Sequence, residues 1–361
     1  MQPTHGGNVH KLARERGIPV DHIVDFSASI NPMGPPIAGL RAIRSALKQI
    51  VHYPDPDCWK LRQELAQQCG VDPDMILIGN GSTELIHLLP RALTMKSSLI
   101  VGPTFEEYAR ALMASGSSVQ YVHARREERF RPPGEEVLRQ LSSKRSRFDA
   151  VFVCNPNNPT GQVMTRQIIR ELVEVVDRQE GWFIVDEAFI DFCLRRSVVS
   201  MLRAYPRMIV LRSLTKFYAM PGLRIGYLIG ACKVVDRLKD CQPPWSVNSL
   251  AQEVFHTVLR DHAYPTQSRI FMRHERSRFV HGLRSLFGVR VYSSAANFVL
   301  IELPAWTCAG EVTDRLSSEG LLVRDCSTFP GLNAQMIRVA IRTAKENRRL
   351  IAALGASLRK G

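Results

Sequence analysis

The chain contains 361 residues, of which 45% are hydrophobic and 23% are charged. This balance is typical of a globular protein, excludes a disordered or collagen-like chain, and at this length suggests about two domains. Basic residues outnumber acidic ones by 48 to 34, but they are scattered along the chain, so we expect no nucleic-acid partner. Eight cysteines without CxxC or Cys/His ligand spacing predict reduced thiols and no metal site. No apolar run could span a membrane or serve as a signal peptide, so we expect a cytoplasmic protein without a membrane partner.

The predicted elements begin with an amino-terminal segment that leads into the turn-rich sequence SINPMGPP. Short apolar runs, predicted as buried strands, then alternate with segments of helical periodicity; these runs are 75–79, 99–101, 119–124, 150–155, 182–188, 208–213 and 224–230. Such alternation predicts a mostly parallel sheet covered by helices on both faces. After about residue 245 a long helical region precedes apolar runs at 289–303, 321–325 and 336–342, which predicts a smaller α+β domain.

We therefore predict an α/β protein in three parts. Residues 1–40 form an amino-terminal segment that joins the small domain and covers the site, and residues 41–245 form the large domain. Residues 246–361 form the small α+β domain, which begins with a helical linker at about 246–285.

The strongest local signal is SLTKFYAMPGLRIGY at 213–227. A lysine held in a partly desolvated pocket at the end of a buried strand loses its proton readily, because its charged form is disfavoured there. The neutral amine is a nucleophile that can form a Schiff base. Lys216 is one of only ten lysines, and Ser213 and Arg224 beside it are donors suited to a phosphate. Taken alone, Lys216 is more typical of a surface cation.

Three further segments supply polar groups at predicted strand ends. GNGSTELI (79–86) brings backbone amides and the hydroxyls of Ser82 and Thr83 to a helix start, which favours a bound phosphate but also suits a plain helix cap. Asp186 in IVDEAFIDF could hold a pyridine nitrogen protonated or form an ion pair. Asn158 in CNPNNPTG lies in a Pro-bounded loop that could also be a simple turn.

In this order, the four segments resemble those of the fold-type I pyridoxal-phosphate enzymes, in particular the aminotransferase family that includes histidinol-phosphate aminotransferase. The resemblance runs from about residue 5 to residue 345 and implies a large domain with a mostly parallel seven-stranded sheet. It implies pyridoxal 5'-phosphate as cofactor, with Lys216 as its covalent attachment point, Asp186 at the pyridine nitrogen and Asn158 at the phenolic oxygen. The residues implied at the cofactor phosphate are Gly81, Ser82, Thr83, Ser213 and Arg224. Phe105 would stack on the ring, and Tyr53 would reach the phosphate of a neighbouring subunit, which implies a homodimer.

The amino-terminal HGGN and the segment DFSASINPMGPP resemble one branch of this family, the decarboxylases of O-phosphorylated hydroxy-amino acids in cobalamin biosynthesis. LLVRDCSTFPGL and MIRVAIRT add to that resemblance, whereas Ser29 stands where the branch carries asparagine. The branch implies a carboxy-lyase that converts L-threonine O-3-phosphate to (R)-1-aminopropan-2-yl phosphate and carbon dioxide. O-phospho-L-serine, which lacks one methyl group, is a second expected substrate.

The bond that breaks at Cα depends on where the protein anchors the two anionic groups of the substrate. Guanidinium groups bind carboxylate and phosphate bidentately, so Arg324 and Arg338 are the candidates, and the sequence does not say which group each one holds. The expected substrate-binding residues are His5, Gly6, Asn31, Asn158, Arg324 and Arg338. Lys216 is the expected proton donor to Cα once carbon dioxide has left.

Two alternatives remain at this point. A histidinol-phosphate aminotransferase would share the phosphate and the whole cofactor site, although Phe189 stands where transaminases commonly have tyrosine. A catalytically silent member of the family could instead serve as a binding module, although Lys216 and Asp186 are both present.

Overall fold

The computed structural model describes residues 5–143 and 147–359. The strands are β1 Val24–Asp25, β2 Ile76–Gly79, β3 Ser97–Gly102, β4 Ser118–His123, β5 Ala150–Cys154, β6 Trp182–Asp186, β7 Met208–Ser213, β8 Gly226–Ile229, β9 Arg290–Val291, β10 Phe298–Glu302, β11 Leu321–Leu322, β12 Arg324–Asp325 and β13 Met336–Ala340. The α-helices are α1 Val9–Arg16, α2 Ile37–Ala46, α3 Trp59–Cys69, α4 Ser82–Ala92, α5 Glu107–Ala114, α6 Gly134–Leu141, α7 Arg166–Arg178, α8 Leu214–Phe217, α9 Cys232–Lys239, α10 Ser249–Val258, α11 Ala263–Arg284, α12 Ala309–Ser318 and α13 Ala344–Ser357.

The large sheet contains seven strands in the order β2-β8-β7-β6-β5-β3-β4. Strands β3 to β7 run parallel to one another, and β8 is antiparallel to both of its neighbours. The mostly parallel sheet predicted from the alternating pattern is therefore confirmed. Strands β5 and β7 are apolar along most of their length and buried throughout, as expected for strands covered by helices on both faces.

One strand departs from the sequence prediction. The run at 119–124 was expected to be buried, but β4 lies at the edge of the sheet and alternates between exposed and half-buried positions along most of its length. An edge strand has a neighbour on one side only, which leaves side chains such as Ser118 and Gln120 open to solvent.

A second sheet, β12-β13-β10-β9, forms near the carboxyl terminus and is antiparallel. The run at 321–325, predicted as one strand, is divided between two sheets because β11 pairs with β1 while β12 pairs with β13. The β1–β11 pairing is parallel, with Val24 opposite Leu321, so the amino-terminal segment lies against the carboxyl-terminal part of the chain. None of the helices in the described ranges has both the length and the apolar character needed to cross a bilayer.

Candidate active site

The polar residues singled out in the sequence meet at one edge of the large sheet. Asp186 is the last residue of β6 and Ser213 the last residue of β7, so both lie at the carboxyl ends of parallel strands. Because β8 is antiparallel, its first residue, Gly226, pairs with Ser213 and brings the preceding Arg224 to the same edge. Open α/β sheets bind their ligands at this edge.

Lys216 lies on the single turn of α8, directly after β7. Its Nζ donates a hydrogen bond to Ser213 Oγ at 3.0 Å and lies 5.6 Å from the centre of the Phe189 ring. Burial lowers the pKa of Lys216 to about 8; the Asp186 carboxylate opposes this change, and the charge of Arg224 adds to it. About a fifth of the side chains therefore carry the neutral, nucleophilic amine at pH 7.4, far more than for an ordinary lysine.

Asp186 is buried and faces the same space as Lys216. Its Oδ2 accepts a hydrogen bond from the Tyr108 hydroxyl at 2.6 Å, and its Oδ1 accepts one from the Ala188 amide at 2.8 Å. Burial raises the pKa of Asp186, although the Tyr108 hydrogen bond and the Lys216 charge partly counteract it. Within the described residues no cation forms an ion pair with this carboxylate, which makes it a fitting partner for the protonated nitrogen of a bound ring.

Sequence reasoning missed Tyr108. It lies in the first turn of α5, three residues after Phe105, and its ring meets the Phe105 ring edge-on at 5.7 Å. The segment PTFEEY offers both aromatic residues, but only the packing of α5 against the sheet shows that Tyr108 reaches Asp186.

The start of α4 provides an anion site. Gly81 precedes the helix with a φ of +78°, no side chain in the described part of the chain caps the first amides, and Ser82 and Thr83 occupy the first turn. A Cβ on Gly81 would lie 2.5 Å from the guanidinium of Arg224, so the glycine admits that side chain to the helix start. Arg224 itself adopts a φ of +53°, an unfavourable conformation typical of ligand sites. Amides, hydroxyls and a guanidinium around one point suit a phosphate.

Two arginines from the small sheet face each other across the β12–β13 pair. Arg324 is directly opposite Arg338, and their exposed fractions are only 6% and 7%. The guanidinium of Arg338 donates to Asn158 Oδ1 and, at 2.5 Å, to the Ser27 carbonyl oxygen, while its Nε has no partner among the described residues. Burial lowers the pKa of Arg338 to about 10, and the charge of Arg324 contributes to this change. Like charges placed opposite each other are unfavourable unless an anion lies between them.

Asn158 connects this pair to the large sheet. Because its Oδ1 accepts from Arg338, its Nδ2 is the atom left to donate to a ligand. The side chain is buried in the Pro-bounded loop after β5, where the sequence had predicted a polar contact at a strand end.

The amino-terminal segment docks beside the arginines. The Gly7 amide donates to Ser27 Oγ at 2.7 Å, and Gly6 is so close to the Ser27 carbonyl group that a Cβ there would overlap it. His5, Gly6, Ser27 and Arg324 all line one cavity of about 330 Å³. Three of the predicted substrate-binding residues thus share a cavity.

Two predicted site residues lie elsewhere. The Asn31 amide donates to the Phe217 carbonyl oxygen and Ser268 Oγ, both at 2.9 Å, and its main-chain N–H donates to the Lys216 carbonyl oxygen at 3.0 Å. Asn31 is therefore committed to contacts within the protein beneath Lys216. Tyr53 is 80% exposed and packs against Trp245 with ring centres 4.7 Å apart.

The fold and site together define an α/β enzyme with a reactive lysine at the carboxyl edge of its sheet. The sequence model of the aminotransferase class I and II family matches residues 21–354, so the chain belongs to that family.

Individual relatives include enzymes of two activities. The chain is 38% identical to the threonine-phosphate decarboxylase of Salmonella typhimurium, over 97% of this chain and 95% of that protein. The crystal structure of L-threonine-O-3-phosphate decarboxylase from Porphyromonas gingivalis superimposes with a TM-score of 0.83 at 29% identity, covering 94% of this chain and 100% of that one. The histidinol-phosphate aminotransferase from Clostridium acetobutylicum gives a TM-score of 0.85 at 30% identity, covering 92% and 98%.

Proposed function

We propose that the protein is a pyridoxal 5'-phosphate-dependent carboxy-lyase that converts L-threonine O-3-phosphate to (R)-1-aminopropan-2-yl phosphate and carbon dioxide. The observation that carries this proposal is the buried pair Arg324 and Arg338, two cations that face each other directly, with the Nε of Arg338 left without a hydrogen-bond partner among the described residues. The Nε of Arg338 and the neighbouring guanidinium of Arg324 could contact the carboxylate and the phosphate of such a substrate. The identity of 38% with a threonine-phosphate decarboxylase supports the same reaction.

The residues at the sheet edge fit the cofactor. Gly81, Ser82, Thr83, Ser213 and Arg224 would hold its phosphate, Asp186 its ring nitrogen, Asn158 its phenolic oxygen, Phe105 one ring face and Lys216 its aldehyde carbon. When bound, the cofactor withdraws the electrons left at Cα after a bond to that carbon breaks.

The residues of the chain select the bond that breaks and supply the proton that replaces the lost group. The two arginines would fix the carboxylate and the phosphate, and this anchoring would determine which bond at Cα is oriented to break. Burial keeps Lys216 able to exchange a proton near neutral pH, so its ammonium form would donate the proton that replaces carbon dioxide at Cα and become the neutral amine. Phe189 packs edge-on against Phe298, and the Arg338 guanidinium lies 5.1 Å from the centre of the Phe298 ring. These apolar rings exclude water from the side of the site that holds Arg338.

The amino-terminal segment would complete the substrate site. His5 would bind the substrate phosphate, and Gly6 allows the close approach to Ser27 that places it there. For Asn31 we propose a supporting role, because its hydrogen bonds hold the backbone of Lys216 and leave no donor for a substrate.

We also propose a homodimer. Ile37, Ile50, Val51, Tyr53 and Trp59 are all more than half exposed and form apolar surface in the first sixty residues. A second copy would bury this surface and could receive Tyr53 at its cofactor phosphate. Mixing Lys216→Ala with Tyr53→Ala protomers tests the shared site, because each mixed dimer should regain one of its two sites and an equimolar mixture should therefore show about a quarter of wild-type activity. Activity no greater than that of the separate variants would contradict it.

The eight cysteines are all free in the structure. Free thiols persist in reducing compartments, so we propose a cytoplasmic location.

The reaction is tested with the purified, cofactor-loaded enzyme. O-phospho-L-threonine and O-phospho-L-serine are supplied in parallel and carbon dioxide is measured, while a further sample contains histidinol phosphate and 2-oxoglutarate and is assayed for glutamate. We expect carbon dioxide without glutamate, with about 10-fold or greater preference for the threonine derivative because of its extra methyl group. Glutamate without carbon dioxide would establish the aminotransferase instead.

A further inference from the structure

Glu107 is a buried acid that the proposed reaction does not use. It begins α5 with an exposed fraction of 4%, and both of its carboxylate oxygens accept hydrogen bonds. Oε1 accepts from His5 Nε2 at 2.9 Å and from Arg110 Nη1 at 2.6 Å, and Oε2 accepts from His87 Nε2 at 2.9 Å.

These contacts connect α5 to two other parts of the site. His5 belongs to the amino-terminal segment, and its ring lies 5.8 Å from that of Phe105. His87 belongs to α4, whose first turn forms the anion site at Gly81. Glu107 therefore connects the amino-terminal segment that carries His5 to the helix whose first turn forms the anion site.

The carboxylate stays ionised in this position. Burial raises the pKa of Glu107, but the hydrogen bonds from His87 and Arg110 outweigh it and leave the pKa below its usual value. A buried carboxylate with several N–H donors holds those donors in defined directions, because leaving any of its oxygens unpaired is costly.

The hydrogen bond also determines which nitrogen of His5 can meet a ligand. Because Nε2 donates to Glu107, Nδ1 is the nitrogen left for the substrate, and it can donate to a phosphate oxygen only in the imidazolium form. A carboxylate on the opposite nitrogen is the usual arrangement for orienting a histidine ring.

We propose that Glu107 is a positioning residue that directs Nδ1 of His5 toward the substrate phosphate. This inference rests on the proposed function, since it takes a phosphorylated amino acid as the substrate. It assigns to Glu107 an effect on phosphate recognition and none on the attachment of the cofactor.

The variant Glu107→Gln removes the charge and keeps the shape. We expect KM for O-phospho-L-threonine to rise about tenfold, the change typical of losing a hydrogen bond to a charged group, while kcat changes by less than about twofold. Cofactor content, read from the absorbance of the bound cofactor, should match the wild type. Glu106→Gln is the matched control, because the Glu106 side chain makes no hydrogen bond or ion pair with described residues and the KM of this variant should not change.

A double-mutant cycle with His5→Ala distinguishes positioning from a general structural effect. If Glu107 acts through His5, Glu107→Gln should add little to the KM of the His5→Ala enzyme. An equal further loss in that background, or a fall in kcat or cofactor content, would overturn the proposal.

A binding experiment separates this inference from the reaction. The loaded enzyme is titrated with O-phospho-L-threonine and with L-threonine while the cofactor absorbance is followed. Glu107→Gln should weaken the binding of the phosphorylated ligand and leave the binding of L-threonine unchanged, whether or not carbon dioxide is released. Equally weakened binding of both ligands would refute the role of Glu107. A wild-type enzyme that binds O-phospho-L-threonine but releases no carbon dioxide would refute the proposed function alone.

Discussion

The depressed pKa of Lys216 is the most quantitative expectation from the structure. A shift from 10.5 to about 8 corresponds to about 3 kcal/mol of preference for the neutral amine. At pH 8 about half of the Lys216 side chains should be neutral, compared with less than about 1% of ordinary lysine side chains. The cause is burial, with the positive charge of Arg224 adding to it, so the shift belongs to the folded, cofactor-free protein.

Nuclear magnetic resonance of the cofactor-free protein labelled with ¹³C at lysine Cε can measure this titration. The chain has only ten lysines, and the resonance lost in Lys216→Arg identifies the active-site residue. We expect a midpoint near pH 8. A midpoint above pH 10 would refute the argument that burial drives the shift.

The same shift predicts how stability depends on pH. Between about pH 8 and pH 10.5 the unfolded chain holds a proton on this lysine that the folded protein has lost. The contribution of Lys216 to the free energy of unfolding therefore rises with pH across that window. Lys216→Met removes the buried charge and should stabilise the cofactor-free protein at pH 7 by about 1–3 kcal/mol in urea unfolding, with a smaller gain at pH 10. No gain at pH 7, or a gain that grows with pH, would contradict the reasoning.

Three further substitutions test other parts of the site. Asp186→Asn should lower kcat about 100-fold or more, because it removes the charge proposed to hold the ring nitrogen protonated, and rapid-quench measurement of carbon dioxide would report it. Gly81→Ala should raise the Kd of the cofactor about tenfold, measured by fluorescence titration, because the new Cβ would lie 2.5 Å from the Arg224 guanidinium; an unchanged Kd would place the phosphate elsewhere. Arg338→Met should raise KM about 100-fold while leaving the Tm unchanged or higher, because it removes a buried cation whose proposed partner is the substrate. A large fall in Tm would show that Arg338 is mainly structural.

The central sheet could be predicted from the sequence because its interior strands are nearly continuous apolar runs. Strand β6 and strand β7 each end in a polar residue, so Asp186 and Ser213 could be assigned to one edge. The edge position of β4 was missed, although Ser118, Gln120 and His123 interrupt its apolar residues in a way that the covered strands do not show.

The site could be predicted less well where it depends on contacts between residues that are far apart in the sequence. The facing of Arg324 and Arg338 arises from the register of β12 on β13, which no local pattern specifies. Tyr108 and Glu107 lie next to each other in the sequence but face Asp186 and His5, and both contacts arise only when α5 packs against the sheet. Local motifs identify the groups that carry chemistry, whereas tertiary packing selects their partners.

The most direct test of the reaction tracks the carboxyl carbon of the substrate. O-phospho-L-threonine labelled with ¹³C at the carboxyl group is incubated with the loaded enzyme and 2-oxoglutarate, and the label is monitored by nuclear magnetic resonance. We expect the label to appear as carbon dioxide and bicarbonate, with (R)-1-aminopropan-2-yl phosphate as the unlabelled product. Label retained in a phosphorylated 2-oxo acid, with glutamate formed, would contradict this expectation.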